Sequence, residues 1–125
     1  RSPTVTGVQT CALPISIARR IVEILEEHKG EDILFLDVSE QVDFTDYFII
    51  VSATSDRMIQ ALADAVQDKI RDEFKLHSKL QGVSGGGWTL IDLGDIVVHI
   101  FSQERREFYD LESLWKEAKT LLRIQ

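Results

Sequence analysis

Acidic side chains in pairs are the first residues in this chain that could do chemistry. They occur as Asp43/Asp46, Asp92/Asp95 and Asp110/Glu112. Phosphoryl or nucleotidyl transfer with two metal ions needs carboxylates converging on ions roughly 4 Å apart, which an Asp-x-Asp on a strand would provide. Residues three apart on a strand face opposite ways, and residues two apart on a helix do not face each other. None of the three pairs meets the requirement, and Asp92 and Asp95 flank a turn, where aspartate is ordinary. His28, His77 and His99 stand alone, with no second His or Cys at ligand spacing, whereas a metal site needs three or four converging groups. Val97, His99 and Phe101 alternate onto one face of a strand. A hydrogen-bonded core or interface histidine is therefore the favoured reading of His99 over a catalytic one. Gly82-Val83-Ser84-Gly85-Gly86-Gly87 invites a phosphate-loop reading, but its glycines lead into a strand rather than into a helix N-terminus, and no Lys-Ser/Thr pair follows. Ser52, Ser55 and Ser84 lack the G-x-S-x-G elbow. No catalytic residue, metal ligand or cofactor is assigned.

A docking surface is the alternative. Trp88, Arg106, Phe108, Tyr109 and Trp115 crowd one stretch of a chain whose core is already supplied with Ile, Leu and Val. Trp, Tyr and Arg dominate binding hot spots because they bring large area with a polar handle. Core packing is the competing explanation. Trp115 shares a helical stripe with Leu111 and Leu114 and reads as core, whereas Trp88 and Tyr109 fit either role.

The elements that must position these residues can be read from hydrophobic period. Ser16 is expected to cap a first helix with stripe Ile17, Ile21, Ile24 and Leu25, ending near Gly30. Residues 33–38 and 47–51 read as buried strands, joined by a polar link from Ser39 to Asp46 with one hydrophobic step. Thr54, Ser55 and Asp56 start a second helix with stripe Ile59, Leu62, Val66, Ile70 and Phe74. A flexible stretch from His77 to Gly87 precedes a hairpin, whose strands flank Leu93-Gly94-Asp95. A third helix is expected from about Arg106 to Arg123, with Leu111, Leu114, Trp115, Ala118 and Leu122 on its apolar side. The order α-β-β-α-β-β-α implies an α/β chain of the α+β type, a small mixed β-sheet with packed helices.

The chain has 125 residues, enough for a single core, and a formal charge of −7. An acidic domain is repelled by phosphate backbone, so direct nucleic-acid binding is not expected and a basic protein partner is. No apolar stretch reaches the roughly 18 residues of a membrane span. Cys11 is the only cysteine, which excludes an internal disulfide and suits a reducing, cytoplasmic setting. Residues 1–16 hold both prolines, that cysteine and one charge, with no helical or strand period. They look like translated sequencing adapter. The expectation is a non-native or disordered segment 1–16, a single domain 17–125, and a native start missing from the chain.

One combination of segments is more specific. Thr45-Asp46-Tyr47-Phe48-Ile49-Ile50, Ser55-Asp56-Arg57, Gly82 ahead of Trp88, the run from Asp92 to Phe101, and Arg106-x-Phe108-Tyr109-x-Leu111-Glu112-x-Leu114-Trp115 stand in order. Together they resemble the ribosomal silencing factor (Iojap-like) family over about residues 17–115. The resemblance implies a nucleotidyltransferase-like fold without its catalytic carboxylates, hence no enzyme activity. It also implies binding to ribosomal protein fourteen of the large ribosomal subunit, which sterically blocks subunit association and represses translation under nutrient limitation. The partner-facing residues it implies are Trp88, Tyr109, Leu111 and Glu112, and Arg106 joins them in the candidate set. Gln81 stands where the family usually has Glu, which puts one salt bridge to the partner in doubt. The free protein is open to self-association as a homodimer. The rival readings are a small nucleotidyltransferase-fold enzyme and a dimeric scaffold without ribosomal role.

Overall fold

The computed structural model describes residues 13–82, 87–109 and 117–124, with the side chains of 108 and 109 excepted. Its elements run α1 (Pro14–Glu27), β1 (Glu31–Asp37), β2 (Tyr47–Ala53), α2 (Asp56–Phe74), β3 (Lys79–Gly82), β4 (Trp88–Asp92), β5 (Ile96–Ser102), α3 (Gln103–Tyr109) and β6 (Lys119–Ile124). The strands form one mixed sheet in the order β3-β4-β5-β2-β1-β6. β2 and β5 are parallel at its centre, and every other neighbouring pair is antiparallel.

Strand alternation divides the apolar residues between the two sheet faces. Ile33, Phe35, Ile49, Val51, Ile91, Ile96, Val98 and Ile100 meet the buried stripes of α1 (Ile17, Ile21, Ile24, Leu25) and α2 (Ile59, Leu62, Val66, Ile70). Leu34, Leu36, Phe48, Ile50, Val97 and Phe101 form a second cluster on the far face, with Trp88 and Leu90 packed against it. Burial on both faces explains why the strands read as unbroken apolar runs rather than as alternating ones.

The helix ends show local chemistry at work. Ser55 caps α2, its hydroxyl accepting from the Met58 amide at 3.1 Å. Ser16 does not cap α1. The helix starts at Pro14, whose fixed φ and missing N–H suit the first position, and the Ser16 amide already donates to the Leu13 carbonyl. Ile15 consequently joins the core margin. At the other end Lys29 takes the left-handed turn at φ 70°, and the Gly30 amide reaches back to the Leu25 carbonyl at 2.7 Å. Gly30 is needed for space instead, because a Cβ there would lie 2.7 Å from Val51 Cγ2. Across the two helices, Arg20 grips the Glu73 carboxylate through Nε and Nη2, each at 2.9 Å. That contact lowers the Glu73 pKa and raises that of Arg20.

Two expectations about elements are corrected. Residues 79–82, inside the stretch expected to be flexible, form edge strand β3 against β4. All four are exposed, so the strand exists through its backbone ladder and leaves no hydrophobic pattern. Residues 119–124 form β6 against β1 rather than the last turns of a helix. The open edge of β1 offers a row of hydrogen-bonding groups, and pairing with it prevails over the weak helical period of Ala118 and Leu122. Among the described residues the element order is therefore α-β-β-α-β-β-β-α-β. The expected stripe residues Leu111, Leu114 and Trp115 lie outside the described residues.

Candidate docking face

The hairpin is built as its sequence suggests. The Gly94 amide donates to Asp92 Oδ1 at 2.8 Å, and Gly94 sits at φ 89° in the turn. Antiparallel register then sets Trp88 opposite Phe101 and Leu90 opposite His99. Trp88 stacks on Phe101 with ring centroids 5.4 Å apart and planes 12° from parallel. It also lies 6.2 Å from the His99 ring. From β2, Phe48 meets His99 edge-on at 4.9 Å. Trp88 is half-buried, so it serves both readings: one side packs on the sheet and part of it stays accessible.

Gly87 sets the start of β4 against the start of α3. Its carbonyl accepts from the Ser102 amide at 2.8 Å, and a Cβ on it would come within 2.7 Å of Arg105 Cγ. Ser102 in turn holds the first turn of α3, its hydroxyl accepting from the Arg105 amide at 3.2 Å. Trp88 is thus fixed beside the helix that carries Arg106 and Tyr109. Tyr109 is the last residue of α3, and its side chain, like Leu111 and Glu112, lies outside the described residues.

Arg106 departs from the expectation of a partner contact. Its guanidinium is turned inward and only 6% exposed. Nη1 donates to the Asp32 carbonyl and to Ser52 Oγ at 2.9 Å, while Nη2 lies 3.7 Å from the Asp32 carboxylate. Arg123 of β6 reaches the same carboxylate at 3.1 Å. Asp32 sits at φ 49° where the β1–β2 register shifts, and the two arginines clasp this irregular stretch of strand. Arg106 therefore positions α3 on the sheet.

His99 also differs from its expected form. It is buried, and neither ring nitrogen has a hydrogen-bond partner among the described residues. Burial alone lowers its pKa to about 4, so the imidazole is neutral at pH 7. Two aspartates hold turns, Asp92 in the hairpin and Asp37 after β1. Asp37 Oδ1 accepts from the Ser39 amide and hydroxyl at 3.0 and 2.7 Å, which holds its pKa below the usual range. Among the described residues no group of three or more His, Cys, Asp or Glu side chains is placed to hold a metal ion.

Sequence reading passed over Phe44. It is 69% exposed on the β1–β2 loop and touches Phe48 at a centroid distance of 6.3 Å. The only signal was an apolar residue between aspartates in a polar link.

Residues 13–125 match the family described as "Ribosomal silencing factor during starvation". A ribosomal silencing factor of Bacillus subtilis is 36% identical over 103 residues, spanning 82% of this chain and 87% of that protein. A crystal structure from Chromobacterium violaceum superposes with a TM-score of 0.80 at 34% identity, covering 84% of this chain and 88% of its own. A second, from Bacillus halodurans, gives 0.73 at 30% identity, covering 86% and 98%. With a family match over nearly the whole chain and relatives of the same name above 30% identity, this chain belongs to the ribosomal silencing factor family.

Proposed function

We propose that the protein represses translation by binding the large ribosomal subunit through ribosomal protein fourteen and blocking subunit joining when nutrients are scarce. The observation that carries this reading is the half-buried Trp88, stacked on Phe101 and fixed beside α3 on an aromatic sheet face. A partly accessible indole on such a rigid support has the amphipathic character of a binding hot spot. Trp88 with Tyr109, Leu111 and Glu112 would form the contact, and Arg106 would hold α3 in place for it. The chain's net charge of −7 complements a basic ribosomal protein. Steric exclusion needs neither cofactor nor reaction. The proposal places the protein in the cytoplasm, and no helix among the described residues is long and apolar enough to cross a membrane.

Order of addition tests the mechanism. Protein added to isolated large subunits before small subunits should co-sediment with them and suppress initiation. Preformed ribosomes should resist, because the face is already covered. Equal inhibition of joining and preformed ribosomes would contradict steric exclusion.

A further inference from the structure

We propose that the β1–β2 loop is a second contact of this docking face, in which Phe44 and its acidic neighbours receive an arginine- or lysine-bearing segment of the basic ribosomal partner. The inference rests on the docking function proposed above and extends its footprint to the opposite end of the aromatic face.

The first argument is continuity. Phe44 touches Phe48 at 6.3 Å, Phe48 touches His99 at 4.9 Å, and His99 lies 6.2 Å from Trp88. An aromatic row therefore runs from the hairpin across β5 and β2 to the loop, with Phe48 and His99 buried inside it, so that Trp88 in part and Phe44 reach the surface at its two ends. His99 in its middle is buried without a hydrogen-bond partner among the described residues. The row ends in the exposed ring of Phe44.

The second argument is rigidity. A phenylalanine on a floppy loop could fold back against the sheet, but this loop is pinned at both ends. The Val38 amide donates to the Asp46 carbonyl at 2.9 Å, and the Gln41 and Val42 amides both return to the Val38 carbonyl at 3.0 Å. The Asp46 amide donates to the Asp95 carbonyl at 2.9 Å, tying the loop to the hairpin turn. Thr45 is buried directly beside Phe44. The loop backbone is set before any partner arrives, which removes part of the ordering cost of binding.

Charge identifies the occupant. Glu40, Asp43 and Asp46 are exposed, no ion pair involves them among the described residues, and the loop contains no Lys or Arg. Asp95 adds a further exposed carboxylate next door. A guanidinium or ammonium can lie on the face of Phe44 while its N–H groups reach the flanking carboxylates. A second copy of this chain fits poorly, since apposing two such loops would bring like charges together.

The test is co-sedimentation with isolated large subunits across a salt series, using wild type, Phe44→Ala, Phe44→Trp and Asp43→Asn/Asp46→Asn. Phe44→Ala should weaken binding about tenfold or more, with a circular-dichroism melt matching wild type because the ring is exposed. Phe44→Trp should restore binding, since indole is the better partner for a cation. The double Asn variant should bind more weakly at low salt and converge on wild type at high salt. Wild type sedimenting with the subunit and Phe44→Ala matching it overturns this second contact alone. Wild type failing to sediment overturns the docking function and this contact with it. Loss of self-association in Phe44→Ala, with subunit binding unchanged, would assign the loop to a second copy and overturn the basic-partner reading.

Discussion

Replacing His99 with leucine should flatten the acid side of the stability profile. The wild-type imidazole is buried between Phe48, Trp88 and Phe101, and burial alone lowers its pKa from 6.5 to about 4. In the unfolded chain it titrates near its ordinary value, so between these limits the unfolded state binds more protons than the native state. Stability therefore rises with pH across this window. The contribution is fully present above about pH 6.5 and is lost progressively as pH falls through the folded pKa. Each unit is worth about 1.4 kcal/mol, so the wild type should lose about 2 kcal/mol between pH 6.5 and 5 and about 3 kcal/mol by pH 4. Asp37 and Glu73, whose pKa values are lowered by hydrogen bonds, contribute on the more acid side of this range. Urea titrations of wild type and His99→Leu at half-unit pH steps and constant ionic strength would isolate the effect, because everything common to both proteins cancels in the difference. Leucine should also be neutral or stabilising at pH 7, since it removes two buried ring nitrogens that lack partners among the described residues. Parallel profiles for the two proteins would refute the reasoning, because they would mean that the proton reaches the ring in the native fold.

Other expectations follow from the same packing. Arg106→Ala should cost about 3 kcal/mol by stranding the Asp32 carbonyl and Ser52 hydroxyl, a loss of roughly 10–15 °C in melting temperature. An Arg106→Ala variant that melts like wild type yet fails to bind subunits would restore the arginine to the partner surface. Trp88→Ala should reduce large-subunit affinity by about thirtyfold, equivalent to about 2 kcal/mol, while circular dichroism still reports a cooperative fold; normal binding by the folded variant would remove Trp88 from the site. A chain starting at Ile17 should be about 1–2 kcal/mol less stable than one starting at Leu13, because it loses the first turn of α1 and the Ile15 contact. Equal chemical denaturation midpoints would show that this turn contributes nothing.

What was legible in the sequence had a local or periodic cause. The stripes of α1 and α2, the strands β1 and β2, and the hairpin through Gly94 follow from spacing and turn chemistry that each segment carries within itself. β3 and β6 escaped because an edge strand can be held by its backbone ladder alone, and β6 had a misleading helical period. Arg106 was recognisable as a hot-spot residue type, but its direction depends on Asp32 and Ser52, which lie far away in the chain and meet it only when the sheet forms. Trp88 stood out because an indole at a strand start is conspicuous, and the fold leaves it half-buried on the sheet. Phe44 was overlooked because two apolar residues, Val42 and Phe44, are too few to set a period in a polar loop, and its exposure is a property of the folded loop.

The sheet order also sets a timetable for folding. The central pair joins Tyr47 to Ile96, and β1 acquires its second neighbour only when Ile33 meets Ile124. Contacts between residues so far apart are slow to form, because long loops must close before any pairing energy is gained. During synthesis α1, β1, β2 and α2 leave the ribosome first, with both flanks of the β1–β2 ribbon still awaiting strands. Such open edges can pair with other chains. The chain's net charge of −7 sets a repulsion between copies against that pairing while the edges stay open.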